Sequence, residues 1–84
     1  MGTTESAQHE LTQSITPGRY RHFKGKEYTV LGVARHTESG ESMVVYRAEY
    51  GERALCVRPY GMFIEHVDKP EYNYSGPRFQ YIGE

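Results

Sequence analysis

The sequence has no tryptophan, a single cysteine and no long apolar run. Each shortage excludes something. Cys56 alone cannot close a disulfide within the chain, which suits a reducing compartment, so a cytoplasmic protein is expected. No stretch approaches the roughly 20 apolar residues of a membrane helix or forms the apolar centre of a signal peptide, so neither is expected. His9, His22, His36, His66 and Cys56 form no short-spaced ligand pair. His22 and His36 could meet across a hairpin, but two ligands do not make a zinc site. No metal and no cofactor are expected. An excess of one charge is also missing. Ten basic against eleven acidic residues leave −1, so whole-molecule electrostatics gives no reason to expect polyanion binding.

"MGTTES" fits the pattern for N-myristoylation at Gly2. One acyl chain anchors only marginally without basic neighbours, and Glu5 and Glu10 are acidic. It reads as an ordinary polar N-terminus.

What the chain does have is tyrosine: eight, with three phenylalanines, in 84 residues. A chain of this length makes one domain and buries only about 60–65% of its unfolded surface. Rings that remove much area from water at small entropic cost must therefore carry the core. Residues 1–17 hold few large aliphatics beyond Leu11 and Ile15, and cannot offset the entropy of ordering. They are expected to be a disordered tail, with the domain spanning 18–84.

From Gly18 the apolar pattern has the period of strands. Arg19–Lys24 reads as a first strand, Gly25 and Lys26 as a two-residue turn, and Glu27–His36 as a second strand bending at Gly32. Met43–Tyr50 follows with Val44, Tyr46, Ala48 and Tyr50 inward. Gly51 and Glu52 then turn the chain into Arg53–Arg58, with Leu55 and Val57 sharing a face. Pro59 ends that strand. A short 3-10 turn through Met62 leads into Phe63–Val67. Asp68–Pro77 reads as a loop and "RFQYI" as a last strand. Val30, Tyr46, Leu55 and Phe63 are the expected core. Five or six short strands without a convincing helix predict an all-β fold, a small SH3-like barrel.

The segments "GRYRHFKGKEYTVLGVARHTE", "VVYRAEYG", "VRPYGMFIEHV" and "PRF" occur here in that order. Together they resemble a bacterial family of domains of unknown function, number 1653, over about Pro17 to Ile82. The resemblance implies a small, mostly bacterial, cytoplasmic β protein. It implies no catalytic or binding residues. Cys56 departs from the pattern, where a larger and often aromatic residue is expected before "VRP".

Chemistry is sparse. Cys56 sits between Leu55 and Val57, where a thiol is usually buried and inert. The glycines fall at turn spacing and form no phosphate loop, so an enzyme is not expected. Two surfaces remain as candidates. Tyr60, Tyr72, Tyr74 and Tyr81 cluster late in the chain and suit a groove for an extended peptide. Arg19, Arg21, Lys24 and Lys26, joined by Arg35 and Arg47, suit a nucleic-acid face on which Tyr20 or Phe23 would stack bases. Glu27, Glu38, Glu41 and Glu49 lie close enough to neutralise much of that charge. A non-enzymatic binding module is the favoured reading, with a protein or peptide partner ahead of nucleic acid.

Overall fold

The computed structural model of the protein describes residues 13–84. Residues 1–12, most of the tail expected to be disordered, lie outside the described residues. Seven strands follow one another: β1 (Gly18–His22), β2 (Glu27–Arg35), β3 (Ser42–Ala48), β4 (Leu55–Pro59), β5 (His66–Lys69), β6 (Tyr74–Pro77) and β7 (Phe79–Gly83). A one-turn helix α1 (Tyr60–Phe63) separates β4 from β5, and a 3-10 turn (Pro70–Tyr72) separates β5 from β6. The described residues are mostly β, as expected. The expectation of a closed barrel does not hold.

The strands make an open antiparallel sheet in the order β4-β3-β2-β1-β7 and a separate ribbon of β5 and β6. β4 and β7 stay as edges instead of pairing. The bend expected at Gly32 is present as a register shift between Val30 and Gly32. It kinks one sheet and does not carry the strand into a second one. The expected Asp68–Pro77 loop is largely the β5–β6 ribbon, where His66 to Lys69 pair with Pro77 to Tyr74.

One face of the sheet is apolar and carries Tyr20, Val30, Val44, Tyr46 and Phe79, all buried. Phe63 of α1 covers them and is 1% exposed. Three of the four expected core residues are thus in place. Leu55 is not: it is 61% exposed, and Val57 is 60% exposed. A two-residue turn at Gly51–Glu52 would pair Tyr50 with Arg53. The actual turn is longer, with Arg53 in the left-handed region and its amide bonded to the Tyr50 carbonyl. Tyr46 consequently faces Cys56, and Arg47 faces Leu55. A slip of one residue moves every side chain of a strand to the other face. Cys56 therefore packs against the core while Leu55 and Val57 face out. Tyr50, also expected inside, is exposed beyond the end of β3.

The first turn is displaced as well. It occupies Phe23–Lys26 and not Gly25–Lys26 alone, closed by the Gly25 amide on the His22 carbonyl. Tyr20, not Phe23, therefore lies opposite Tyr28.

Residues 13–17 have no regular structure, but they touch the domain. Ile15 packs on the core, Tyr60 Oη donates to the Ser14 carbonyl at 2.9 Å, and Tyr20 Oη donates to the Thr16 carbonyl at 2.7 Å. Gly18 then turns the chain into β1 at φ 136°, where a Cβ would stand 2.9 Å from the Gly83 carbonyl oxygen. Only glycine fits there without a shift.

Candidate functional site

Where the sheet meets the ribbon, a cleft of about 340 Å³ opens between the β1–β2 turn, the end of β4, the β5–β6 ribbon and the start of β7. Its charge is lopsided. Lys24, Arg58, Lys69 and Arg78 line it, and Glu71 is the acid among its lining residues. Junctions between packed units are common places for ligand sites. A larger hollow of about 660 Å³ at the β2–β3 loop is bounded by Arg35 and Thr37–Gly40 of that loop alone.

Three of the four cations of the cleft are placed by identifiable contacts. Val44 is buried and pairs with Arg58, so Arg58 shares the inward face. Its guanidinium lies 5.6 Å from the Phe79 ring centroid, and Nε donates to Tyr46 Oη at 3.4 Å. Arg78 is held through its backbone, its amide on the Glu65 carbonyl and its carbonyl receiving the Phe23 amide. One guanidinium nitrogen pairs with Glu65 at 3.1 Å. Its Nε is buried and has no hydrogen-bond partner among the described residues. A buried donor left unpaired costs about 1–3 kcal/mol. Lys24 Nζ sits 5.7 Å from the Tyr72 ring centroid and 6.0 Å from that of Phe23.

His22 closes the floor. Its ring stacks on Phe23 at 4.4 Å and meets Phe79 edge-on at 4.9 Å. Nδ1 accepts the Lys24 amide at 3.1 Å, so the neutral ring carries its proton on Nε2. Burial holds its pKa below the ordinary histidine value, and the nearby Arg78, Lys24 and Arg58 charges act the same way.

The four late tyrosines do not form one groove. Tyr72 and Tyr74 belong to the cleft side, around Phe23. Tyr72 meets its ring edge-on at 5.4 Å, and Tyr74 stacks on it at 5.7 Å. Tyr74 folds back over Gly76, where a Cβ would stand 2.9 Å from its hydroxyl, and donates to the Pro77 carbonyl. Tyr60 and Tyr81 instead flank Tyr20. Tyr81 packs edge-on to it at 5.3 Å, and burial followed by these two neighbours raises the Tyr20 pKa.

The six basic candidates are dispersed too. Arg19 and Arg21 both bind Glu27 at 3.2 Å. Lys26 lies 4.7 Å from the centroid of the Tyr50 ring. Arg47 lies on the outward face between Thr29 and Leu55, while Arg35 is at the far end of β2. Only Lys24 reaches the cleft. Tyr20 is buried, and Phe23 lies between His22 and Tyr74, so neither ring offers an open face to a base. His22 and His36 stand at opposite ends of β2, about 30 Å apart at the usual strand rise. The described residues contain no group of three His, Cys, Asp or Glu able to hold a metal ion. None of their helices is long and apolar enough to cross a membrane.

Nothing in the sequence groups Arg58, Lys69 and Arg78 into one site. They are isolated cations in three separate segments, and only the sheet–ribbon junction brings them together.

The family model described as protein of unknown function (DUF1653) matches residues 18–81. The chain belongs to this family. A DUF1653 protein from Bordetella bronchiseptica, solved by crystallography, is 38% identical, with a TM-score of 0.74. The match covers 82% of this chain and 88% of that one. No curated protein matches the chain significantly. Every cleft residue falls within the DUF1653 match, whereas Ser14–Thr16 precede it.

Proposed function

We propose that this DUF1653 domain is a non-enzymatic binding module whose working surface is the cleft between sheet and ribbon, and that its ligand presents a phosphate or carboxylate group there. The observation that carries the reading is the charge of the cleft: Lys24, Arg58, Lys69 and Arg78 line it, with Glu71 the acid among its lining residues. Low-dielectric walls concentrate such a field and raise the local concentration of anions. The guanidinium fork suits a planar or tetrahedral oxyanion. The covered faces of Tyr20 and Phe23 favour a ligand read by charge over one read by base stacking, and so an acidic group on a polypeptide or small molecule over a nucleic-acid strand. Cys56, turned against the core with its thiol 3.8 Å from the Ala54 carbonyl, fits a structural role.

The test is an NMR titration of isotope-labelled protein with inorganic pyrophosphate. Saturable shifts are expected at His22, Lys24 and Arg78, weakening as salt rises. Lys69→Gln should reduce affinity several-fold. The double variant Arg19→Gln/Arg21→Gln should leave it unchanged, because those cations already serve Glu27. Shifts that do not saturate, or that follow Arg19 and Arg21, would remove the cleft from consideration.

A further inference from the structure

Beside the cleft, on the same face of the sheet, the domain holds a short piece of polypeptide in a manner resembling peptide recognition. Two tyrosine hydroxyls donate to two main-chain carbonyls, Tyr60 to that of Ser14 at 2.9 Å and Tyr20 to that of Thr16 at 2.7 Å. The side chain between them, Ile15, packs into the aromatic core, while Ser14 and Thr16 are exposed. Alternate carbonyls bound on one side, with the intervening side chain taken into a pocket, is how a surface reads an extended chain. We infer that Tyr20, Tyr60 and Tyr81 form a peptide-binding groove, filled in cis by Ser14–Thr16, whose partner is an extended polypeptide with a large aliphatic residue in the place of Ile15. This goes beyond the anion cleft and does not depend on it.

Three observations support exchange of the occupant. The groove residues all lie within the DUF1653 match, whereas the occupant precedes it. With the segment in place Tyr20 is only 7% exposed, and a competing chain that offers a carbonyl at the Thr16 position keeps its hydroxyl both bonded and covered. The plug has no ladder pairing with the sheet. Two hydroxyl bonds and one half-buried side chain hold it, and a competing chain can supply all three. Its attachment through Pro17 and Gly18 gives it an effective concentration on the order of millimolar, which protects the groove from weak competitors.

The experiment uses the full chain and a capped synthetic peptide of residues 13–17. With the wild-type protein the peptide should cause no saturable NMR shifts, because the cis segment wins. With Ile15→Asp it should bind, shifting Tyr20, Tyr60 and Tyr81. Adding Tyr60→Phe to that background should weaken binding roughly three- to tenfold, the effect of one hydrogen bond. Should Ile15→Asp lose the fold, Ile15→Ala removes the same contact with the core without placing a charge there. No binding by a folded Ile15 variant, or binding indifferent to Tyr60→Phe, would overturn the proposal. A concentration-dependent dimer of the wild type that Ile15→Asp abolishes would overturn the stated partner, assigning the groove to a second copy. Pyrophosphate titration of the same variants keeps the two sites distinguishable, since it reads His22 and Arg78.

Discussion

Phe63 and Phe79 lie parallel, their ring centroids 4.1 Å apart and their planes 4° from each other. The contact ties the single helical turn to the last strand. Tyr20 and Tyr46 both pack against Phe63 as well, at 5.7 and 5.3 Å. A sheet open at both edges depends on such a lid, because nothing in its own pairing closes the apolar face.

Phe63→Ala should therefore cost roughly 3–5 kcal/mol, from lost transfer energy and the cavity left behind. That is comparable to the whole stability of a domain this small. Urea unfolding, or loss of dispersion in the NMR spectrum if the variant does not fold, measures it. Wild-type behaviour would mean that α1 does not cover the sheet.

Leu55→Ala should change stability by no more than about 0.5 kcal/mol, as is usual at exposed positions. The same unfolding experiment distinguishes the two facings of β4. A loss of several kcal/mol would place Leu55 inside and restore the shorter turn.

His22 should titrate below its ordinary value of about 6.5, since burial and the cations around it oppose protonation. A histidine depressed in the folded state favours folding above its unfolded pKa. That contribution is lost as pH falls through the folded value. A bound anion reverses the electrostatic part, so pyrophosphate should raise the midpoint. Imidazole proton shifts followed against pH, with and without pyrophosphate, measure both. An unmoved midpoint would show that the anion does not sit beside His22.

Strand periodicity, glycine-marked turns and the wealth of tyrosine determined the mostly-β class and three of the four expected core residues, Val30, Tyr46 and Phe63; on β3, Tyr46 and Ala48 flank Arg47, which marks their face as the inner one. The quoted segments determined the family. β4 could not be oriented from sequence. Leu55, Cys56 and Val57 are all apolar, so alternation is silent, and its facing depends on how many residues the preceding turn consumes. Openness of the sheet depends on whether β4 and β7 meet in space, which no local pattern encodes. The functional surfaces are tertiary for the same reason. Arg58, Lys69 and Arg78 are unremarkable cations, and Lys24 belongs to a different basic set, until the ribbon packs beside the sheet. The four late tyrosines look like one set along the chain, yet the fold separates them, placing Tyr72 and Tyr74 around Phe23 and Tyr60 and Tyr81 around Tyr20. Sequence spacing determines which side chains share a face within a strand. Only packing decides which faces meet.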